Sequence, residues 1–506
     1  MPWQKWIEKF NLRLSKISFL PLHFTYFCRM MTRCIKIAFS LLLFTQCYSQ
    51  EKWDLRKCVE YALANNISIK QAALQIPFAK LDLQQSKLQQ YPNVSLNSSL
   101  GYSAGRNQDP TTFSLITTGY LFNNYSLQTS VDIFSWFTKR NTVAVKDLNL
   151  QATKTGLEKA MNDVGFNVAV AYLQILLAKE QANLVQIQAA ETKSQLENTR
   201  KQVDAGKLPE LSASQLESQL ATDSSNLIGA ETTVQQLLLQ MKALLNLDPA
   251  AQFDIETPTA DKIPVEDLAE LEPGKVYALA LANLPQQKTD ELNVKAAIKS
   301  VEVARGSMYP TFSLFGSLGS AYNNKSKKAI SKTTYNPVIG KVNVGGTDYN
   351  VFPVDPFENI NYGKFPYFDQ VNQNFRQSIG LGVNVPLFNG GNLKGSWLRS
   401  KLNLKQAELQ KEQNSFTLKQ NVYKAYNDAV AAFQKFNANK KAVETLQKTY
   451  DFSKKRYDLD LLSTYELISS QTNLLTAKNQ MVYAQYDYIF KIKLLEYYKG
   501  QGIKLE

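Results

Sequence analysis

Residues 375–392 read FRQSIGLGVNVPLFNGGN, and this stretch decides the fold. From Ile379 to Leu387 every second side chain is apolar, and the positions between carry Gly, Asn or Pro. A period of two is typical of a β-strand with one apolar face. After two glycines, residues 396–499 contain neither glycine nor proline and are apolar at helical spacing. The sequence therefore predicts a short strand that leads directly into a very long helical segment.

Residues 31–50 read MTRCIKIAFSLLLFTQCYSQ, in which a basic start precedes a short apolar core. The core is too short to span a bilayer, but the pattern is typical of a secretory signal peptide. We therefore assign residues 1–49 to an N-terminal extension and signal peptide, with translation starting at Met30 or Met31. Lipidation of Cys47 is the alternative fate of this segment.

The composition of the remaining chain excludes several kinds of chemistry. Residues 1–49 hold seven basic residues and one acidic residue, so cleavage lowers the formal charge by six, from +13 to about +7. They also hold the only histidine and three of the four cysteines, which leaves Cys58. Histidine metal ligation, histidine general-base catalysis and an intramolecular disulfide are thereby excluded. We predict no cofactor and no enzymatic activity, and we interpret Cys58 as a buried apolar residue, with a thiol nucleophile as the alternative.

The chain is a duplication of one plan. ALAN at residues 62–65 recurs at residues 280–283, and a Tyr-Pro pair recurs at the same offset. The second copy has extra residues between Tyr322 and Phe375, rich in Asn, Gly, Tyr and Pro and containing the run KSKK, which predicts a long surface loop. The first repeat, the linker, the second repeat and the tail are assigned to residues 50–247, 248–271, 272–499 and 500–506.

Each repeat carries the same order of elements. A helix comes first and ends at the Tyr-Pro pair, because proline stops it. Two strands follow, and then a long helix that turns back at a tight tip. The first helices are predicted at residues 54–90 and 272–308. The strands are predicted at about residues 93–103, 125–134, 311–322 and 377–387. The long helices are predicted at about residues 137–204, 209–247, 392–460 and 464–499.

The strands predict a shared membrane barrel. Segments of about ten residues with alternating hydrophobicity have the length and pattern of transmembrane β-strands. Four strands leave open edges, and each unpaired backbone group in lipid costs on the order of several kcal/mol. Two chains would give eight strands around a filled interior, whereas three would give twelve strands around a lumen. Other copies of the chain must therefore complete the wall.

Aromatic residues flank the predicted strands. We interpret them as interfacial girdles, with ordinary packing at a barrel rim as the alternative. The loop side carries Tyr102, Phe113, Tyr120, Phe122 and Tyr125, and the helix side carries Phe134, Trp136 and Phe388.

Four motifs together resemble those of TolC-type outer-membrane efflux proteins. They are WDLRKCVEYALANN at the start, Tyr-Pro before each first strand, VPLFNGG before the long helix, and RYDLDLLSTYELISSQ at its turn. The resemblance covers residues 52–499 in the duplicated order. It implies an α+β membrane protein, a homotrimer whose 12-stranded β-barrel (four strands per chain) lies in the outer membrane. A long periplasmic α-helical barrel of coiled-coil hairpins would continue that pore.

The resemblance also implies a function. The chain would be the passive exit duct of a tripartite efflux or type I secretion system. Its partners would be a periplasmic adaptor protein and an inner-membrane pump. The periplasmic helix tips would form the gate of this duct.

Charged residues at the two tips are the candidate gate residues. By the resemblance, Glu210 and Glu466 lie near where the family places acidic or polar tip residues. Three copies of one carboxylate would concentrate negative potential in a narrow opening and favour cations. Glu466 also follows Ser463 at the spacing of a capping box, so helix capping alone is its alternative role. The candidate gate ion pairs involve Arg200, Arg456, Asp204 and Asp460.

Other functions compete with the duct. A secreted coiled-coil structural or adaptor protein without a pore would dissolve in buffer, whereas a duct requires detergent for extraction. A secreted hydrolase would need a clustered acid–base pair or nucleophilic triad, and the carboxylates do not fall on the loops of a compact domain. The basic residues are scattered along helices without a recognition motif, so we predict no nucleic-acid partner.

Overall fold

The computed structural model describes residues 52–500 apart from residues 110–112, 259, 261, 262 and 264. The predicted signal peptide and the tail after Gly500 lie outside the described residues. Within them, two short helices, two sheet strands and a long helical hairpin occur in this order, and the same order then repeats.

The helices include two of 67 residues each. They are α1 Leu55–Asn65, α2 Ile67–Leu88, α3 Thr138–Asp204, α4 Glu210–Leu245, α5 Pro273–Asn283, α6 Pro285–Gly306, α7 Tyr367–Gln373, α8 Asn392–Asp458 and α9 Thr464–Lys499. The prediction of single helices at 54–90 and 272–308 is wrong, because each is interrupted. Asn66 separates α1 from α2, and its side chain accepts a hydrogen bond from the amide of Ser68 at 2.9 Å. Pro285 starts α6, since a proline cannot continue the preceding helix.

The strands are β1 Asn93–Gln108, β2 Leu115–Phe134, β3 Thr311–Asn323, β4 Lys327–Tyr335, β5 Gly340–Val344, β6 Thr347–Val351, β7 Phe357–Lys364 and β8 Arg376–Asn384. The predicted surface loop between Tyr322 and Phe375 is wrong, because β4 pairs with β7 and β5 with β6. Gly345 and Gly346 both have positive φ, which permits the two-residue hairpin turn between β5 and β6. β1 and β2 also extend further towards their hairpin than the sequence predicted.

One antiparallel sheet contains β1, β2, β3 and β8 in that order. Its register places similar side chains of neighbouring strands next to each other, in rows that cross the sheet. One row consists of Leu96, Leu127 and Leu318 on the first three strands and ends at Gln377 on β8. The adjacent row, on the opposite face, consists of Ser95, Gln128, Ser317 and Ser378. The leucines and the Ser-Gln row thus lie on opposite faces of the sheet, as the alternation in β8 predicted, although Phe315 lies on the same face as the Ser-Gln row.

The helices that adjoin the sheet follow the order of its strands. α2 leads into β1, β2 into α3, α6 into β3, and β8 into α8. α3 packs between α2 and α6, and α6 packs between α3 and α8. The side-chain contacts that join these neighbours are Lys146–Asp82, Thr155–Thr289 and Asn414–Asp290, at 2.7, 2.7 and 2.8 Å. Each chain is thus a row of side-by-side elements, with α2 and β1 at one edge and α8 and β8 at the other.

The main core lies where α1, α3, α4 and α9 meet the linker. Tyr172, Ile175 and Ile255 are fully or almost fully buried there. The linker is anchored by the amide of Trp53, which donates to the carbonyl of Asp254 at 3.0 Å. A stretch of α3 is long and apolar enough to cross a membrane by composition alone. Its apolar residues, Tyr172 and Ile175 among them, lie in this core, and burial within the protein accounts for that composition.

Candidate functional site at the helix tips

The tip between α8 and α9 is closed by a capping box. Ser463 precedes α9, and its hydroxyl accepts a hydrogen bond from the amide of Glu466 at 3.3 Å. In return, the Glu466 carboxylate accepts from the amide and the hydroxyl of Ser463, at 3.1 and 2.8 Å. This reciprocal arrangement satisfies two backbone donors at the start of the helix.

The carboxylate of Glu466 remains charged and exposed. The hydrogen bonds from Ser463, together with the nearby Arg456, hold its pKa below the usual value. Both hydrogen bonds from Ser463 go to Oε2. Capping therefore does not neutralise the side chain, and its negative charge still faces the solvent at the tip.

The tip between α3 and α4 is built differently. Gly206 has a φ of 72°, and the amide of Lys207 donates back to the carbonyl of Gln202 at 2.9 Å. Pro209 stands directly before α4, whose first residue is the exposed Glu210. Because a helix N-terminus carries a partial positive charge, a carboxylate at this position stabilises the helix.

Of the four residues predicted to form gate ion pairs, the two arginines have other contacts within one chain. Arg200 pairs with Glu217 across the α3–α4 hairpin. Arg456 donates to the carbonyl of Leu461 at 3.2 Å. Asp204 ends α3, and Asp460 lies between α8 and α9 with a φ of 59°; both are exposed. Ion pairs among these four residues remain a prediction for contacts between copies.

The two tips of one chain lie side by side. The hydroxyl groups of Thr199 and Tyr457 are 3.0 Å apart, which joins the end of α3 to the end of α8. Tyr457 is also within 3.5 Å of the Thr464 hydroxyl at the start of α9. Glu210 and Glu466 therefore project from the same end of the molecule, as the prediction of a common aperture requires.

A polar group above the tips was not predicted from the sequence. The hydroxyl of Tyr450 on α8 donates to Glu191 on α3 at 2.6 Å and accepts from the Gln195 amide at 2.9 Å. Lys454 pairs with the same Glu191 carboxylate at 3.2 Å. Burial and the adjacent Glu191 raise the pKa of Tyr450, so its hydroxyl stays protonated and holds the two hairpins together.

A second buried group was also missed. The Thr192 hydroxyl on α3 donates to Asp223 on α4 at 2.7 Å, and Gln219 donates to the other carboxylate oxygen at 2.8 Å. Gln471 on α9 reaches Thr192 at 3.5 Å. The signal in the sequence was the appearance of polar residues at buried, helically spaced positions of α3, where an unpaired polar group would be costly.

Among the described residues, no group of three or more His, Cys, Asp or Glu side chains could hold a metal ion. Cys58 is fully buried in the main core, and burial raises the pKa of its thiol to about 12. This confirms the interpretation of Cys58 as a buried apolar residue, because the reactive form of cysteine is the thiolate.

An amphipathic sheet that continues into long helical hairpins defines a class of outer-membrane channel subunits, and comparisons with known proteins agree. The sequence model for "Outer membrane efflux protein" matches residues 58–247 and 276–491. The chain belongs to the outer membrane efflux protein family, as the sequence motifs indicated. It therefore lies in the outer membrane and extends its helices into the periplasm. The members of this family are channels rather than enzymes.

Individual relatives are distant but similar over most of their length. Outer membrane protein TolC of Escherichia coli K12 is 22% identical over 450 residues, which are 86% of this chain and 80% of that protein. Outer membrane efflux protein BepC of Brucella suis biovar 1 is 22% identical over 393 residues, 77% of this chain and 73% of that protein. The crystal structure of the Campylobacter jejuni CmeC outer membrane channel superposes with a TM-score of 0.67 at 17% identity, covering 89% of this chain and 86% of that one. This structural match shows the shared fold.

Proposed function

We propose that three copies of this chain form a 12-stranded barrel that serves as the exit duct of a tripartite efflux or type I secretion system. The observation that carries the proposal is the open sheet. β1 and β8 lie at its two edges, and an unpaired edge cannot face lipid. β1 and β8 run in opposite directions, so β8 of one copy can pair with β1 of the next as an antiparallel ladder.

The contact between the two repeats of one chain indicates how two copies of the chain would meet. At its centre, β2 and α3 lie against β3 and α6. At one edge of the described chain, β8 and α8 have no strand and helix packed beside them in this way. At the other edge, the outer sides of β1 and α2 are likewise uncovered. We attribute the matching order to duplication of residues 50–247 as residues 272–499. By this symmetry, α8 of one copy packs against α2 of the next.

The side chains on these two outer helices support that contact. Exposed apolar residues recur at or near every seventh position, the spacing of a coiled-coil seam. On α2 they are Ile67, Leu74, Phe78, Leu81 and Leu88. On α8 they are Leu398, Leu402, Leu409, Phe416 and Tyr423. In a lone chain these ten side chains would face water. In a ring, the apolar residues of α8 in one copy would cover those of α2 in the next copy.

Three copies, rather than two, fit a duct. An eight-stranded barrel is filled by its own side chains, whereas twelve strands leave a lumen lined by the polar face of the sheet. A water-filled pore supplies no energy for transport. We therefore propose that a periplasmic adaptor and an inner-membrane pump deliver the cargo to the helical end.

Native mass spectrometry of the detergent-purified protein, combined with planar-bilayer recording, tests this proposal. We expect a mass of three mature chains and discrete conductance steps. A secreted coiled-coil protein without a pore would instead remain in the soluble fraction without detergent and would give no conductance. Either a monomeric mass or the absence of conductance from a purified trimer rules out the duct.

We further propose that Glu466 and Glu210 line or flank a periplasmic aperture. Glu466→Gln isolates the charge, because glutamine at this position also completes a capping box. We expect the variant to show weaker cation selectivity with an intact fold. Glu444→Gln, on the exposed surface of α8, is the matched control. If Glu466→Gln conducts with unchanged selectivity, Glu466 is only a helix cap.

A further inference from the structure

The short helix α7 takes the place of a strand beside the end of β3. β8 begins level with Gly319, so the remaining residues of β3 have no strand beside them on that side. The side chain of Gln370 on α7 accepts from the amide of Asn323 at 2.7 Å and donates to its carbonyl at 2.9 Å. Asn374, directly after α7, donates to the carbonyl of Ala321 at 2.7 Å. These hydrogen bonds satisfy backbone groups that a neighbouring strand would otherwise pair.

α7 also covers part of one face of the sheet. Tyr125 points to the same face as Leu127, because side chains two residues apart in a strand share a face. We call this the leucine face. The hydroxyl groups of Tyr125 and Tyr367 lie 2.7 Å apart. Ser320, opposite Tyr125 in the register, donates its hydroxyl to the carbonyl of Val371. α7 therefore lies over the leucine face, which meets lipid in the proposed barrel.

The position of α7 along the strands is that of an aromatic level. At the helical end of the sheet, the rings of Trp136 and Tyr309 lie 4.9 Å apart, just before Phe312 at the start of β3. At the hairpin end, the ring of Tyr367 on α7 lies 4.7 Å from that of Tyr322. Ten residues of strand separate Phe312 from Tyr322. This is roughly 34 Å along the strand, or about 26 Å when tilted by ~40°, and agrees with the ~25 Å apolar band of outer-membrane barrels.

The sides of α7 that do not contact the sheet differ in polarity. Gln370 is fully buried against β3. Phe368 precedes it by two positions, about 200° around the helix, and therefore points away from β3. The side chain of Phe368 is 82% exposed in the single chain. Asp369 and Gln373, four residues apart on another side, are exposed and polar. Acyl chains could cover the phenyl ring, whereas a carboxylate is costly to bury in hydrocarbon.

We infer that α7 is an interfacial helix in the outer leaflet of the outer membrane, with Phe368 among the acyl chains and Asp369 and Gln373 towards the headgroups. This inference rests on the proposed barrel. Lipid is the occupant because the leucine face continues below α7, through Leu318 and Leu314 on β3. An unpaired strand edge is unfavourable in lipid, so α7 also shields the end of β3 where β8 is missing.

Spin labels at single introduced cysteines test this placement. Cys58 is buried and should stay unlabelled, so each variant carries one label. Phe368→Cys is compared with Gln373→Cys, the matched control on the polar side of the same helix. Leu381→Cys on β8 and Val354→Cys between β6 and β7 are the references for lipid and water; both side chains are exposed. Electron paramagnetic resonance in dioleoylphosphatidylcholine vesicles compares collisions with molecular oxygen, which dissolves in lipid, and with a water-soluble nickel chelate.

We expect the label at residue 368 to lie about 5–10 Å inside the boundary of headgroups and acyl chains, and the label at residue 381 to lie deeper. Labels at residues 373 and 354 should collide mainly with the chelate. If residue 368 is as accessible to the chelate as residue 354 while residue 381 is in lipid, the inference is wrong and the barrel stands. Equal depth of residues 368 and 373 in lipid also overturns it, because α7 would then be immersed. If residue 381 is itself in water, the proposed barrel fails and the placement of α7 fails with it.

Discussion

Disrupting the apolar stripe of α8 should dissociate the assembly. Leu409 and Phe416 are 52% and 61% exposed in a single chain. Full burial of such a side chain contributes about 1.5–3 kcal/mol, so covering the exposed half contributes about 1–1.5 kcal/mol each. The double variant Leu409→Gln/Phe416→Gln keeps the helix propensity nearly unchanged and removes about 2–3 kcal/mol per contact between copies. A ring of three has three such contacts, which amounts to about 6–9 kcal/mol or roughly 10⁴- to 10⁶-fold in the association constant.

The assay is native mass spectrometry over a dilution series in detergent. We expect the double variant to be monomeric at concentrations where the wild type forms the proposed trimer. Ile330→Gln/Val354→Gln is the control, because these apolar side chains are also exposed but lie in and beside the β4–β7 hairpin. If the variant and the wild type dissociate at the same dilution, α8 does not form the seam and the symmetry argument fails.

Three further predictions concern single residues. Cys58 should resist alkylation by iodoacetamide at pH 8 in the folded protein and react after denaturation, because burial keeps its thiol pKa at about 12; rapid labelling of the folded state would contradict its burial. Tyr450→Phe should lower the free energy of unfolding by about 1–3 kcal/mol, since Glu191 and Gln195 lose a buried partner; calorimetry measures this loss, and an unchanged melting temperature would contradict it. Because the pKa of Glu466 is lowered, its cap stabilises α9 at pH values above the ordinary carboxyl pKa, and this stabilisation is lost as the pH falls through the lowered pKa. Amide exchange in the first turn of α9 should therefore accelerate as the pH falls through that value, and it should do so at a higher pH in Ser463→Ala.

The elements with a strict period were predictable from the sequence. The alternation from Ile379 onwards specified a strand with one apolar face, and the register of the sheet shows the reason. Leu314 lies between Val131 and Leu381 in the register, so a slip by one residue would turn these apolar side chains to opposite faces. The long helices were equally clear, because glycine and proline are absent from residues 396–499.

The interruptions and the insertion were harder to predict. Asn66 and Leu284 stand inside stretches of continuous helical composition, and only the cap of Asn66 and the missing amide of Pro285 reveal the breaks. The strands β4 to β7 lack a buried face: their side chains are almost all exposed. Without burial there is no apolar alternation, so the sequence resembled a loop although the backbone pairs.

The tip residues illustrate a different limit. The capping box of Ser463 and Glu466 is local and followed from a spacing of three residues. The contacts of Tyr450 with Glu191 and of Asp223 with Thr192 join distant segments, so no local pattern could identify the partners. The sequence offered only the polar side chains at buried positions.

The distribution of these contacts supports the proposal that the duct is gated at the tips. In the main core, large apolar side chains such as Tyr172, Ile175 and Met241 are completely or almost completely buried. Towards the tips the apolar clusters shrink, and buried contacts such as Thr192–Asp223 are hydrogen bonds. Water can replace a hydrogen-bond partner at a net cost of about 0.5–1.5 kcal/mol, whereas exposing a buried leucine costs about 1.5–3 kcal/mol. The hairpins of one chain therefore separate most easily at the tips, while the apolar core holds their other ends together.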